Sequence, residues 1–538
     1  MPTFTQSPHG SPPTRHSGLV YDTIHAGQTF LSATSGGIAV GWLTVLALIS
    51  LLLHLFAAPH YGYFRDELYY LACADHLEVG YVDHPPLSIF LLSVWRSVFG
   101  DSLFALRSLP ALAGAGLVFL VGRLTRDLGG GRFAQLLAAA AVVASPVFLA
   151  LTRFYSMNAF ELVLWTVCAI AALRAIDRRD LNSWLVLGLV FGATLLNKLS
   201  GAWVIGGIFV GLALTDSRRW LRRPEPWIAL VTGLLIFLPH LFWQIAHEWP
   251  TIEFIRNATQ QKMLAGSPAR FLLDQILGMN PASLPLWLGA LVFAFTSPWG
   301  RRGRIFAWLY LSVAALLVLS ASSRSYYLAA AYPPLLALGG VAWERWSDRR
   351  RWIRPLLVGP LVFVGVILVP LALPLLPVDT FVRYQTALGL TPRTEERQEI
   401  GPLPQDYADM FGWEELTALV ARAYATIPPE EQAGCRVFAQ NYGQAAAIDH
   451  FGPRLGLPRA LCGHNSYALW GAADDDWETL ILIGGSREDH LKIFESVTVI
   501  GTTEAKYALP AEQGLEVSVA RGLKIPKEAA LRLARHLI

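Results

Sequence analysis

The chain has 538 residues, of which 54% are hydrophobic and only 15% are charged. Soluble globular proteins carry about 25% charged residues, so this composition excludes an ordinary soluble protein, a disordered chain and a disulfide-rich secreted domain. With 43 Lys and Arg against 40 Asp and Glu, the net charge of +3 gives no support for nucleic-acid binding.

Residues 1–37 are rich in Ser, Pro and Gly and are predicted to be a disordered cytoplasmic N-terminus. Eleven apolar stretches follow, and a helix needs about 20 residues to cross the hydrocarbon of a bilayer. They lie at 38–58, 102–122, 132–152, 157–176, 182–198, 201–215, 226–245, 283–298, 304–321, 326–345 and 353–377. Residues 87–99 are apolar but short and follow a Pro-Pro pair, which favours an interfacial or re-entrant helix. The predicted fold is a polytopic all-α membrane domain over residues 38–378.

Arginines concentrate in alternate loops between the predicted spans. Enrichment in Lys and Arg is typical of cytoplasmic loops. These arginines are Arg123, Arg126, Arg132, Arg174, Arg178, Arg179, Arg218, Arg219, Arg222, Arg223, Arg301, Arg302, Arg304, Arg345, Arg349, Arg350, Arg351 and Arg354. The pattern predicts a cytoplasmic N-terminus and places everything after residue 377 on the outer side.

From about Asp379 charged residues return and apolar runs shrink to strand length. Strands are expected at 436–439, 479–483 and 497–500, and helices at 413–425 and 527–537. About 160 residues are enough to bury a separate core. Residues 379–538 are therefore predicted to form an extracytoplasmic soluble α/β domain.

Polar residues collect in the predicted outer loops. They include Arg65, Asp66, Glu67, Tyr69, Asp83, His84, Arg153, Asn158, Glu161, Lys198, Arg324 and Tyr327. Ionisable groups near the bilayer are costly, so the three isolated cations Arg153, Lys198 and Arg324 should have partners. Structural pairing with nearby acids is one interpretation. The concentration of cations, acids and tyrosines on one side favours a functional site.

Such a cluster suits group transfer from a lipid-linked phosphate. Cations can hold the phosphate and stabilise the negative charge that develops as it leaves. A carboxylate beside the reacting carbon can take the proton of an acceptor hydroxyl. Aromatic side chains at the interface offer packing surfaces for a sugar ring.

Two segments carry a family resemblance. Residues 64–70 read Phe-Arg-Asp-Glu-Leu-Tyr-Tyr, and residues 82–87 read Val-Asp-His-Pro-Pro-Leu. This pair, in a first outer loop before many helices, resembles the membrane-embedded GT-C glycosyltransferases that use polyprenyl-phosphate sugars. The chain is most similar to glycosyltransferase family 39, the dolichyl-phosphate-mannose protein mannosyltransferase-like family, and more distantly to the lipid A aminoarabinose transferases. The resemblance covers residues 38 to about 345.

The resemblance implies that Asp66 is the catalytic base and that Glu67 orients the acceptor or tunes Asp66. His84 stands where aminoarabinose transferases have a lysine, which implies contact with the donor phosphate. Lys198 and Arg324 fall near basic residues of those relatives. Asn158 departs from an acidic residue in many relatives, which makes a metal less expected, and no metal or other cofactor is predicted.

The implied reaction is a single inverting displacement in which His84, Lys198, Arg153 or Arg324 holds the departing polyprenyl phosphate. The long outer loop 246–282 either orders over the donor or is an unstructured connector. The expected partners are a polyprenyl-phosphate-linked sugar, a glycan acceptor on protein, lipid A or another glycolipid, and membrane lipids.

The expected location is the bacterial inner membrane, with the C-terminal domain periplasmic. A lipid or solute transporter is the alternative function, although no two halves of the chain look alike, as they do in many carriers. A non-catalytic assembly or receptor protein is a further alternative. Cys435 and Cys462 both lie in the exported domain, where a disulfide between them is possible.

Overall fold

The computed structural model describes residues 37–320, 323–471 and 477–538. The predicted disordered segment therefore lies outside the described residues, apart from Gly37. The described residues between 40 and 372 form helices that are joined by turns and loops. The helices are α1 (Val40–Ala57), α2 (Arg65–Asp75), α3 (Leu87–Phe99), α4 (Leu103–Asp127), α5 (Arg132–Val143), α6 (Pro146–Leu151), α7 (Met157–Arg178), α8 (Leu181–Asn197), α9 (Gly201–Ala213), α10 (Glu225–Ala246), α11 (Pro250–Asn257), α12 (Pro268–Gly278), α13 (Leu284–Thr296), α14 (Arg304–Leu319), α15 (Tyr332–Trp346) and α16 (Ile353–Ala372).

Six helices among the described residues are long and apolar enough to cross a membrane. They are Val40–Ala57, Leu103–Asp127, Met157–Arg178, Glu225–Ala246, Pro298–Leu319 and Ile353–Ala372. The helices α12 and α13 meet at a bend of 92° and together form a seventh candidate. Four shorter apolar helices, α3, α5, α8 and α9, lie among them. The polytopic fold is confirmed, and the number of eleven spans stays a prediction.

Two predicted spans are broken in the structure. The stretch 132–152 is divided into α5 and α6, because Pro146 occupies the first turn of a new helix and cannot donate a backbone hydrogen bond to α5. The stretch 326–345 begins with a 3₁₀ segment, Ser325–Ala331, before α15. Both breaks place a short irregular segment near the first turn of α7, where several predicted site residues lie.

The outer loop 246–282 is largely helical. It contains α11, a π-helical turn at Ala258–Lys262, and α12. The interpretation of this loop as an unstructured connector is therefore wrong.

The described residues of the C-terminal domain, 379–538, include a five-stranded sheet. Its strands are β1 (Cys435–Ala439), β2 (Ala460–Cys462), β3 (Thr479–Ile483), β4 (Phe494–Thr502) and β5 (Glu516–Leu523), in the order β2-β1-β3-β5-β4. The first three strands are parallel, whereas β5 runs antiparallel to β3 and β4. Its helices are α17 (Val378–Ala387), α18 (Gln405–Ala408), α19 (Trp413–Ala425), α20 (Pro429–Gln432), α21 (Tyr442–Phe451), α22 (Tyr467–Trp470), α23 (Arg487–Ile493) and α24 (Lys527–Ala534). The predicted α/β character is confirmed.

Cys435 and Cys462 are free and buried. Cys462 pairs in register with Ala439, four positions along β1 from Cys435. Since a strand rises about 3.3 Å per residue, the two thiols are too far apart to form a disulfide.

Helix α2 joins the two parts of the molecule. Its residues Leu68 to Ala74 share one apolar core with Tyr155 and Phe160 of the helical part and with Trp413 and Ala445 of the C-terminal domain. The helix that begins beside Asp66 is thus held from both sides.

Candidate active site

A cavity of about 470 Å³ lies where the membrane helices meet the C-terminal domain. Three elements contribute most of its charged wall: the start of α2, the outer loop 246–282, and residues 393–409. The polar lining residues are Arg65, Asp66, Asn158, Lys262, Arg270, Asp274, Arg324, Ser325, Tyr326, Arg393, Thr394, Glu395, Glu396, Gln405, Asp406, Asp409 and Tyr442. We refer to it as the main cavity.

Asp66 presents an accessible carboxylate to the main cavity. It lies in the first turn of α2, where the helix dipole favours a negative charge. The Tyr442 hydroxyl donates a hydrogen bond of 2.9 Å to its Oδ1 atom, and the Arg65 guanidinium lies 3.8 Å away. The side chain is 38% exposed, so a substrate hydroxyl can approach it.

Glu67 is held behind the cavity wall. Its carboxylate is fully buried and pairs with Arg107 at 2.9 Å. It also accepts hydrogen bonds from the backbone N–H groups of Phe64 and Tyr155, both at 2.9 Å. The other guanidinium hydrogens of Arg107 are donated to backbone carbonyls, those of Ala58, His60 and Gly62. Glu67 therefore positions the start of α2 from inside the protein, and its predicted role of orienting the acceptor or tuning Asp66 stays a prediction.

The cations Arg324 and Lys262 share one carboxylate. Arg324 forms an ion pair with Glu396, and Lys262 Nζ lies 3.8 Å from the same Glu396 oxygen. Gln405 donates a hydrogen bond of 2.9 Å to the second oxygen of Glu396. An acid thus occupies the cation cluster in which an incoming phosphate would be held.

Residues 393–397 form a short strap across the outer loop. The Leu264 N–H donates to the Glu395 carbonyl at 3.0 Å, and the Arg397 N–H donates to the Lys262 carbonyl at 2.7 Å. This small antiparallel pairing fixes Glu396 over the main cavity.

Two carboxyl groups of the cavity, Glu396 and Asp409, have pKa values that are shifted in opposite directions. Burial alone would raise the pKa of Glu396, but the charges of Lys262 and Arg324 outweigh it, so this pKa lies below its usual range. Burial raises the pKa of Asp409 to about 7, although Arg65 opposes the shift. Glu396 is therefore firmly ionised, whereas Asp409 titrates near neutrality.

Lys198 lies one contact away from the main cavity. Its ammonium group donates to Asn158 Oδ1 and to Glu161 Oε2, both at 2.8 Å, and lies 5.0 Å from the ring centre of Tyr327. Of these residues only Asn158 lines the cavity among the described residues. The structural pairing of Lys198 with Glu161 is thus present, and Asn158 connects it to the site.

Arg153 also has a partner from the C-terminal domain. It forms an ion pair with Asp406, donates a hydrogen bond of 2.7 Å to the Ala372 carbonyl, and stacks 4.4 Å above the Tyr407 ring centre. Its guanidinium group is therefore engaged, while its partner Asp406 faces the cavity.

Asp83, His84 and Tyr69 lie apart from the main cavity. The Tyr69 hydroxyl donates to Asp83 at 3.0 Å. The His84 ring is 2% exposed and stacks on Tyr70 with ring centres 4.8 Å apart. The prediction that His84 touches the donor phosphate is corrected, because packing and a backbone contact to Pro85 hold its ring inside the protein.

Comparisons with known proteins place this geometry in context. The family described as dolichyl-phosphate-mannose-protein mannosyltransferase matches residues 83–243. The crystal structure of ArnT from Cupriavidus metallidurans in the apo state is similar over 90% of this chain and 98% of its own, with a TM-score of 0.60 and 16% identity. The two chains therefore share a fold. The undecaprenyl-phosphate-bound structure of the same protein gives a TM-score of 0.56 at 16% identity, covering 89% of this chain and 98% of its own.

Two curated relatives are named as glycosyl transferases. The lipid A galacturonosyltransferase RgtD of Rhizobium johnstonii is 22% identical over 49% of this chain and 56% of its own length. The undecaprenyl phosphate-alpha-4-amino-4-deoxy-L-arabinose arabinosyl transferase of Pseudomonas savastanoi is 26% identical over 50% of this chain and 53% of its own. The chain thus spans about half the length of these relatives. The family resemblance seen in the sequence is confirmed.

Several residues that line the main cavity were not predicted from the sequence. Lys262, Glu396, Asp409 and Tyr442 reach the cavity only because the C-terminal domain packs on α2 and on the outer loop. One missed residue carried a signal. Arg107 is a cation inside an otherwise apolar span, and such a residue implies a buried acidic partner.

Proposed function

We propose that this protein is a glycosyltransferase that moves a sugar from a polyprenyl-phosphate donor to a hydroxyl of an extracytoplasmic acceptor. The observation that carries the proposal is the convergence of an accessible carboxylate, Asp66, and two cations, Arg324 and Lys262, on one cavity. A base and an anion-binding cluster on opposite sides of a substrate are the two elements that the reaction needs.

The reaction proceeds in one inverting step. The acceptor hydroxyl transfers its proton to Asp66 while its oxygen forms a bond to the anomeric carbon. The bond from that carbon to the phosphate oxygen breaks, and polyprenyl phosphate leaves as an anion. Arg324 and Lys262 stabilise this charge, and the Tyr442 hydroxyl holds the Asp66 carboxylate in place.

The named relatives support the substrate class. Their names specify lipid A or an undecaprenyl-phosphate sugar, so we propose an undecaprenyl-type donor and a lipid A or related glycolipid acceptor. We further propose a bacterial inner-membrane location with a cytoplasmic N-terminus and a periplasmic C-terminal domain. The arginine-rich alternate loops support this orientation.

A transfer assay tests the proposal. Purified protein in lipid nanodiscs receives radiolabelled undecaprenyl-phosphate sugars and lipid A, and label moving into the glycolipid is measured. A positioned general base contributes about 10²- to 10⁴-fold, so Asp66→Asn should lower kcat by that factor.

Asp75→Asn is the matched control. Asp75 lies at the other end of α2, pairs with Arg96 at 3.0 Å and does not line the main cavity among the described residues. It should transfer label at close to the wild-type rate. Transfer at the wild-type rate by Asp66→Asn would contradict the role of Asp66, and movement of intact donor without transfer would favour a transporter.

A further inference from the structure

A second cavity, of about 430 Å³, lies on the C-terminal domain and is nearly as large as the first. It is bounded by the end of β2, by α22, by α24 and by His76, the residue that follows α2. Its charged and aromatic lining residues include His76, Asp449, Arg459, Tyr467, Trp470, Glu528, Arg532 and Arg535. Among the residues that the structure describes, none lines both cavities.

One wall of the second cavity is aromatic and rigid. The rings of His76 and Trp470 stack in parallel, with centroids 4.2 Å apart and an angle of 8°. Tyr467 packs against Trp470 at 4.7 Å. The Tyr467 hydroxyl donates to Asp449 at 2.7 Å, and the other Asp449 oxygen accepts from the Ala460 N–H at 2.8 Å. The wall is therefore fixed before any ligand arrives.

The facing rim is basic. Arg459 lies with Nη1 3.4 Å from His76 Nε2, and Arg535 pairs with Glu253 at 2.8 Å. Arg532 is exposed and has no ion pair or side-chain hydrogen bond among residues 37–320, 323–471 and 477–538. Two acids, Glu528 and Asp449, also line the cavity, and burial raises the pKa of Asp449.

We propose that the second cavity binds an anionic saccharide, with the arginines holding its carboxylate or phosphate and the aromatic wall packing against its ring. The planar guanidinium group matches both anions through paired hydrogen bonds. Tyr and Trp provide large apolar surfaces that also tolerate water at their edges. A neutral sugar would bring no negative charge to the arginines of this rim.

The position of the cavity identifies this saccharide as part of the acceptor, an assignment that rests on the proposed function. Asp66 lies at the first turn of α2, and His76 follows its last residue. At 1.5 Å per helical residue the two points are about 15 Å apart. An acceptor glycan of several sugars can therefore hold on to the second cavity while its terminal hydroxyl reaches Asp66.

Direct binding tests the proposal without requiring catalysis. The full-length protein carrying Asp66→Asn is titrated calorimetrically with three probes: a galacturonic acid trimer, a phosphorylated maltotriose and uncharged maltotriose. We expect the charged trisaccharides to bind at least tenfold more tightly than maltotriose. The difference between the first two probes shows whether a carboxylate or a phosphate is preferred.

The variant Arg459→Glu/Arg532→Glu should abolish that preference. Both side chains are exposed, so their replacement should leave the fold intact. Arg454→Glu, an exposed arginine of the same domain outside the cavity, is the matched control and should bind as the parent protein does. Equal binding of charged and uncharged probes by the parent, or an unchanged preference in the double variant, overturns the proposal.

Kinetics then link the cavity to the acceptor. In a background with wild-type Asp66, the double variant should raise the acceptor KM at least tenfold and leave the donor KM unchanged. An unchanged acceptor KM overturns the acceptor assignment. If arginine-dependent binding persists but the wild-type protein transfers no sugar, the proposed function fails and the saccharide site stands.

Discussion

Two ion-pair clusters of the molecule, one at Glu67 and one at Glu396, differ in which groups complete them. Around Arg107 and Glu67, the guanidinium and the carboxylate are satisfied by each other and by backbone groups of the same region. Around Arg324 and Lys262, the partner is Glu396, a side chain supplied by the strap.

This difference distinguishes a structural ion pair, Arg107–Glu67, from a cation cluster that is suited to binding a ligand. An ion pair that is closed by main-chain groups cannot exchange partners without unfolding its surroundings. A cation cluster whose counter-ion is a single side chain can exchange it for another anion. Burial alone therefore does not show whether a charged residue binds a ligand. Whether its partners are main-chain groups or a single side chain is more informative. Variants of each cluster should accordingly change different measured quantities.

The largest effect, on protein stability, is expected from breaking the buried ion pair between Arg107 and Glu67. Glu67→Ala leaves Arg107 buried without a counter-ion, and removing one partner of a buried pair costs about 3–5 kcal/mol. The midpoint of thermal unfolding in detergent should fall sharply, with a matching loss of folded yield. Asp101→Asn, which breaks the exposed pair with Arg96, should cost less than about 1 kcal/mol. Equal stability of Glu67→Ala and wild type would remove the scaffold role.

Removing a cation from the open cluster should change substrate binding instead. Hydrogen bonds to charged groups contribute about 1.5–3 kcal/mol, so Arg324→Gln should raise the donor KM by about 10- to 100-fold. Steady-state kinetics with varied donor measure this, and the unfolding midpoint should change little. Arg383→Gln, an exposed residue of α17, provides the control and should keep the wild-type KM. A normal KM in Arg324→Gln would exclude donor contact.

Removing the acid that pairs with Arg324 and Lys262 should change the donor KM in the opposite direction and by a smaller factor. Glu396→Gln removes the negative charge that competes with phosphate for Arg324 and Lys262, so the donor KM should fall a few-fold. Glu399→Gln, an exposed acid just beyond the strap, is the control. A rise in KM would instead show that Glu396 holds the cations in their binding positions.

The smallest effect concerns Asp409, whose pKa of about 7 lies above the ordinary value of 3.8. The folded state binds this proton more tightly than the unfolded state, so the contribution of Asp409 to stability declines as pH rises from about 4 to 7. Asp409→Asn removes that dependence. The unfolding midpoint of the variant relative to wild type should therefore be higher at pH 8 than at pH 5. A pH-independent difference would contradict the raised pKa.

Local signals were sufficient for much of the fold. The helix at 413–425 has the predicted bounds, because two acids in its first turn and an amphipathic pattern define it locally. Strand β2 was missed, since three residues carry no usable alternation. Strand β5 was also missed; its central residues are buried in succession, which hides the alternation of a half-buried strand. The break before Pro146 could have been expected from the proline alone.

The residues of the candidate site also fall into those that local sequence signals predicted and those that they did not. Asp66, Asn158 and Arg324 were found because the sequence around each of them is polar and lies between apolar stretches. Asp409 and Tyr442 are more than 340 residues from Asp66 in the chain, and neither lies in a pattern that indicates a site. The roles of Glu67 and His84 near the substrate were taken from the family resemblance, which does not show which way a side chain points. Glu67 follows Asp66 in a helix, where successive side chains point in different directions.

The shared core around α2 has a consequence for the C-terminal domain. The apolar residues Trp413 and Ala445 belong to the same buried core as Leu68 and Ala72 of the helical part, so this face is covered only in the intact chain. If residues 379–538 were produced alone, the same face would meet water and favour self-association. The fragment would then dissolve poorly despite its charged exterior, and studies of ligand recognition by this domain require the whole polypeptide.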